Sequence, residues 1–178
     1  MTMTDTAPLI QKPQPGDYAP FYEGYVAAVE TNDIVAYLAA QNDQIVAFLK
    51  DIVWEKWDLS YGEGKWTLAE VVLHIIDSER IFAYRALRIA RGDGTPLPGF
   101  EQDDYVPNSG AALRTPASIV DEFAAVREAT VHLFKNLSDD MWERRGTASD
   151  AAVTVRALAY IIGGHAAHHI RVIRERYL

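Results

Sequence analysis

Val155-Arg156-Ala157-Leu158-Ala159-Tyr160-Ile161-Ile162-Gly163-Gly164-His165-Ala166-Ala167-His168-His169-Ile170-Arg171-Val172 decides how this chain folds. Val155, Leu158, Ile162, His165, His169 and Val172 recur in steps of three and four, the spacing that gathers residues on one face of an α-helix. That face is apolar apart from its two histidines. It turns toward a core, and the imidazoles stand where a helical bundle ordinarily carries leucines. Helix residues at i and i+4 project side by side, so His165 and His169 can reach one metal ion. A third histidine, His74, lies inside another apolar segment, Val71-Val72-Leu73-His74-Ile75-Ile76.

A lone histidine on a core seam is ordinarily a packed residue with its ring nitrogens hydrogen-bonded. Two in one seam ask more of the core, because each neutral imidazole brings a donor and an acceptor that need partners once buried. Packing gains nothing from that, whereas one metal ion satisfies both rings. His168 competes with His169, since three residues from His165 is also a ligand spacing. On a helix, however, it lines up with Ala157, Ile161, Gly164, Arg171 and Glu175, a more polar stripe. The expected ligands on α-helical geometry are therefore His165 and His169, with His168 beside the site, exposed or placed to handle protons. His132, alone on its helix, has the ordinary reading. Gly163-Gly164 costs about 1 kcal/mol per glycine relative to alanine in a helix interior. Such a pair makes room for a substrate or for a closely crossing helix. The zinc-protease pattern His-Glu-x-x-His is excluded, because Ala166 stands where the general base belongs.

Outward from this run the chain reads as three more long helices. The first is expected from Asn32 or Asp33 to Ile52, with Ile34, Tyr37, Leu38, Ile45, Phe48, Leu49 and Ile52 on its seam. The second opens at the capping box Thr67-Leu68-Ala69-Glu70, runs to about Arg91 and stops at Gly92-Asp93-Gly94. Thr115-Pro116 opens the third, with proline at the first helical position. Its core side holds Ile119, Phe123, Val126, Thr130 and Phe134. A short helical turn, 138–144, and a polar loop, 145–153, precede Thr154, which caps the fourth helix up to about Arg176. Between the second and third helices, residues 95–114 form a long irregular stretch with Pro96, Pro98 and Pro107, either a functional loop or a passive crossover. No alternating strand pattern of convincing length is present. The fold class expected is all-α, a four-helix bundle with a long crossover loop, in one domain spanning residues 21–178 after a Thr-, Pro- and Asp-rich tail, 1–20.

Composition bounds the function. Hydrophobic residues at 49% and charged residues at 24% of 178 positions are ordinary for a globular domain with its own core. A net charge of −8 with no concentrated Lys and Arg speaks against nucleic acid as a partner. The Arg171, Arg174, Arg176 group complements a helix C-terminus. No cysteine is present, so disulfides, thiolate ligands and a cysteine nucleophile are excluded. No apolar run approaches the roughly 20 residues of a membrane span, and no secretory signal pattern opens the chain. A soluble, cytoplasmic protein is the expectation.

Lys65-Trp66-Thr67-Leu68-Ala69-Glu70-Val71-Val72-Leu73-His74-Ile75-Ile76-Asp77-Ser78-Glu79-Arg80 resembles the second-helix motif of the DinB/YfiT-like superfamily. Ala83-Tyr84-Arg85-Ala86-Leu87, Pro96-Leu97-Pro98-Gly99-Phe100 and the run from Val155 to His169 resemble one branch of it. The resemblance spans Tyr25 to Leu178, and one His in helix two with His-x3-His in helix four is its most specific element. It implies an up-down-down-up four-helix bundle, often a homodimer, with a divalent metal, commonly zinc or nickel, on three histidines. By position these are His74, His165 and His169. Several relatives use a low-molecular-weight thiol as transferases or isomerases, and others are classed with metal-dependent hydrolases. Ala166 and Arg171-Val172 depart from the acidic residue and the Gly-Gln pair that relatives carry there.

The function expected is that of a metal-dependent enzyme acting on a small molecule, most concretely thiol S-transfer to an electrophile. Metal-dependent hydrolysis is the alternative, and a non-catalytic metal-binding helical module is the rival of another class. A three-His site leaves positions open, as catalytic zinc does. Asp77 and Ser78, one turn after His74, are placed to orient its ring; the plainer reading is a surface carboxylate and a small packing residue, and is preferred for Ser78. Asp103, Asp104 and Tyr105 of the long loop are candidates for the site's mouth. Arg85 and Arg156 would hold an anionic substrate or, more simply, pair with carboxylates. The aromatics Trp54, Trp57, Trp66, Tyr84 and Tyr160 suit an interface as well as a pocket.

Overall fold

The computed structural model describes residues 10–178; the expected tail over residues 1–9 lies outside them. Seven helices are described, α1 (Glu23–Ala27), α2 (Ile34–Lys50), α3 (Leu68–Ala90), α4 (Gln102–Tyr105), α5 (Pro116–Lys135), α6 (Asp139–Trp142) and α7 (Val155–Arg176). The long ones, α2, α3, α5 and α7, form the bundle, with α3 and α2 each packed against both α5 and α7.

Their ends follow from local chemistry. The Asp33 carboxylate accepts from the Ala36 amide at 2.9 Å. At α3 the Thr67 hydroxyl accepts from Glu70 N at 3.2 Å, and the Glu70 carboxylate accepts from Thr67 N at 2.7 Å, closing the capping box. Thr115 and Thr154 cap α5 and α7 in the same way.

The core falls into two apolar clusters separated along the bundle. One gathers Leu38, Phe82, Phe134 and Leu158; the other gathers Leu49, Trp57, Leu73, Phe123 and Ile173. Between them every long helix contributes a buried polar group or glycine: Gln41, Glu79, Arg127 and Thr130, and on α7 Gly163 and His165. A polar layer crosses the middle of the molecule, and the histidines lie at its edge.

Two corrections to the sequence reading emerge. Residues 145–153 are not a loop: β1 (Arg145–Ala148) and β2 (Ala151–Thr154) form an antiparallel hairpin. Its turn residues Ser149 and Asp150 have φ of 50° and 59°, the left-handed values of a primed turn. Such turns ordinarily announce themselves by Asn-Gly or Gly, and this one carries neither. The hairpin holds the crossover in place, since Leu97 N donates to Thr147 O and Ser149 N to Leu97 O. The second correction is α1, for which no element was expected. It packs on α7. Before it, Ile10 and Tyr18 are buried, and Asp17 accepts from Arg145 and Arg156, so residues 10–20 drape over the domain. No helix among the described residues is long and apolar enough to cross a membrane.

Candidate metal centre

His74 reaches the site from α3, and His165 and His169 from adjacent turns of α7, the helix packed beside it. Their Nε2 atoms converge. His74 Nε2 lies 3.0 Å and His169 Nε2 3.1 Å from His165 Nε2. These three side chains are the group of possible metal ligands found among the described residues. An imidazole nitrogen offers one in-plane position, either a proton or a lone pair. His165 Nε2 therefore cannot make good hydrogen bonds to both neighbours at once, whereas a cation between the rings would use all three lone pairs. Zinc–nitrogen bonds of about 2.0–2.1 Å in tetrahedral array hold ligand nitrogens about 3.4 Å apart; the two pairs that include His165 come close to that spacing, and all three ligand atoms lie within 4.8 Å of one another. Three nitrogen donors without cysteine or carboxylate fit a borderline divalent ion.

Electrostatics keeps the rings neutral, the state that ligates. Burial, above all, pushes His165 well below the ordinary histidine value, and the neighbouring imidazoles and Arg127 push the same way. Burial lowers His74 to about 4, against a smaller upward pull from Asp103, and lowers His169 to about 3. A pH dependence follows for the chelated protein. These groups take up protons near pH 6.5 when unfolded but only at lower pH when folded. The unfolded chain then binds more protons, and stability present above about pH 6.5 is lost as pH falls toward about 4. The slope is about 1.4 kcal/mol per pH unit for each such histidine. Urea melts of chelated protein at neutral and mildly acid pH check it; equal midpoints would contradict the buried neutral trio.

Around the trio, the Trp66 ring sits 5.0 Å from that of His74 and the Tyr25 ring 5.3 Å from that of His165. Ser78 is buried, with its hydroxyl 3.5 Å from His74 Nδ1, the outer limit of a hydrogen bond. Asp77 instead faces Arg80 at 3.6 Å and is half-exposed. The site opens on a cavity of about 570 Å³ lined by Tyr61, Lys65, Trp66, Asp103, His169 and Tyr177, among others. Of the three loop candidates for the mouth, Asp103 lines the cavity; Asp104 and Tyr105 are not among its lining residues, and the Tyr105 ring packs on Phe100. His168 stands outside the trio but lines the same cavity, partly buried, with Nδ1 3.4 Å from Arg171 Nη2. Arg156 pairs with Asp17 and Glu143. Arg85 is buried and donates to Pro98 O and Ser149 Oγ, pinning the crossover to the hairpin.

The glycine pair is a close crossing. A Cβ on Gly164 would stand 1.9 Å from the Tyr25 carbonyl oxygen, so only hydrogen lets α1 lie on α7. Gly163 faces the Tyr37 ring, and its carbonyl accepts from Gln41 Nε2 at 2.9 Å.

A family model of the DinB superfamily matches residues 37–173. The chain belongs to the DinB superfamily. A curated relative from Oceanobacillus iheyensis, described as a candidate metal-dependent hydrolase, is 23% identical to this DinB-superfamily chain over 124 residues, 67% of this chain and 69% of its own. Among solved structures, YfiT of Bacillus subtilis, described as a candidate metal-dependent hydrolase with an unusual four-helix bundle topology, matches with a TM-score of 0.62 at 18% identity, over 93% of this chain and 91% of that one. A mycothiol-dependent maleylpyruvate isomerase matches with a TM-score of 0.64 at 11% identity, over 78% of this chain and 58% of the isomerase. At these identities the likeness to solved structures is one of fold.

Proposed function

We propose that the protein is a metal-dependent enzyme in which His74, His165 and His169 hold a divalent ion, zinc or nickel, and that it joins a low-molecular-weight thiol to a small electrophile. The observation that carries this reading is the convergence of three neutral imidazoles, His74 and His165 buried and His169 partly so, at 3.0 and 3.1 Å, beside a cavity large enough for a small molecule. A divalent ion supplies a lowered pKa to a bound thiol or water, giving a nucleophile near neutral pH.

The chain's own groups do the rest. Trp66, Tyr61 and Tyr177 give the cavity an aromatic wall for the apolar part of a substrate. Ser78 restrains the His74 ring from behind. Asp103 is the carboxylate among the lining residues and is the group to take up the proton that the nucleophile gives up. Thiol chemistry is favoured because a thiol starts close to ionisation and asks little of a base, and this cavity's carboxylate is exposed. The mycothiol dependence of one relative in fold is in keeping with it. Hydrolysis is the second reading, supported by the descriptions of the two bacterial relatives. Turnover of electrophilic esters with and without added thiol separates the two.

The reading is tested by metal content per chain in protein purified without an affinity tag, beside His165→Ala and His169→Ala. One bound ion is expected in the parent and none in either variant, with helical circular dichroism retained in at least one. No metal in the parent, even after incubation with zinc and with nickel, would sink the metalloenzyme reading.

A further inference from the structure

A second cavity, about 400 Å³, opens between α1 and α7 and is lined by Phe21, Gly24 and Tyr25 on one side and Ala167, His168 and Arg171 on the other. We propose that this cleft is a second ligand site, which takes the carboxylate of a small, partly aromatic molecule on Arg171.

Three observations support it. The volume lies within the range of small-molecule sites, and the lining is mostly small or aromatic with few polar groups, as such sites are. Phe21 is 78% exposed, an aromatic ring left to solvent at the cleft's edge. Arg171 is the lining residue with a formal charge, in a chain of net charge −8. Among the described residues it enters no ion pair. Its polar contact is the His168 ring, Nη2 to Nδ1 at 3.4 Å. A guanidinium fork matches a carboxylate in two parallel hydrogen bonds. One such fork over an apolar floor balances a monoanion; a phosphate dianion would require more donors than this lining offers.

The cleft shares one lining residue, His168, with the cavity beside the histidine trio. The two cavities therefore meet at His168. The cleft's role as the subsite of a co-substrate rests on the two-substrate reading above; its capacity to bind a carboxylate does not.

The test is a titration of the full chain, followed by amide chemical shifts, with phenylacetate and with its neutral counterpart phenylacetamide. Both the chelated and the zinc-treated protein are used, each as parent and as Arg171→Gln. Arg171 is exposed, so the variant should fold, and its thermal midpoint serves as the check. Phenylacetate should shift Gly24, Tyr25 and Arg171 equally with and without zinc. The amide probe, or the Arg171→Gln variant, should weaken binding about tenfold, as loss of a charge-assisted pair does. Undiminished binding to Arg171→Gln, no binding to the parent, or zinc-dependent shifts confined to Trp66 and His169 would each overturn the second site. The last would place the carboxylate in the trio's cavity and leave the metal reading intact. Absence of metal binding with the Arg171-dependent shifts retained would do the reverse.

Discussion

Replacing Arg127 by methionine should remove about 3–5 kcal/mol of folding stability, the usual effect of orphaning one half of a buried ion pair. Arg127 is fully buried and Glu79 is 3% exposed. The guanidinium donates to both carboxylate oxygens, Nε to Oε1 and Nη2 to Oε2, each at 2.8 Å, and Nη1 donates to Gln41 Oε1 at 2.6 Å. Gln41 in turn donates to the Gly163 carbonyl at 2.9 Å. One chain of hydrogen bonds thus joins α5, α3, α2 and α7 in the layer between the two apolar clusters. Methionine leaves the Glu79 carboxylate in that layer without its cation. The double variant Arg127→Met/Glu79→Leu should regain much of the loss, because an apolar pair of similar volume has no stranded charge. Chemical denaturation of the three proteins measures it; a single-variant loss below about 1 kcal/mol, the range of exposed pairs, would mean the layer is solvated.

Gly164→Ala should be nearly as damaging, by a different cause. The added carbon would meet Tyr25 O at 1.9 Å, Tyr25 C at 2.5 Å and Tyr25 Cα at 2.8 Å. All three are backbone atoms, so no side chain can rotate away, and α1 must lift from α7. Overpacking of this kind costs about 1–3 kcal/mol, and more where backbone must move. Tyr25 stands edge-on to the His165 ring, so zinc affinity should fall along with stability. Gly163→Ala is the control: its nearest neighbour is the Tyr37 ring, at 3.0 Å, a side chain that can yield. Thermal melts and zinc competition on both variants check the pair. Equal, mild effects would show that α1 does not brace the site.

The long helices were legible because their apolar spacing and their caps agree: Thr67 with Glu70, Pro116 after Thr115, Thr154 before Val155. Spacing alone paired His165 with His169; His74 was joined to them by the family resemblance, because one chain's periodicity does not state which helices pack together. The hairpin escaped because its strands are four residues long and its turn, Ser149-Asp150, lacks glycine. The polar layer escaped because isolated charged residues read as solvated. Yet a signal was present. Glu79 stands in the stripe Ile75, Glu79, Phe82, Ala86, and Arg127 in Phe123, Arg127, Thr130, Phe134, each at core spacing. Opposite charges in two core stripes imply a buried pair. Gly164 showed that space was needed; only the approach of Tyr25 shows what fills it.

The most direct measurement is an anomalous difference map from a crystal of the full chain grown with zinc. A single strong peak is expected within about 2.0–2.1 Å of the Nε2 atoms of His74, His165 and His169, disappearing in His169→Ala. A map without a peak there, or with zinc bound only at surface carboxylates, would contradict a metal centre built from these three histidines.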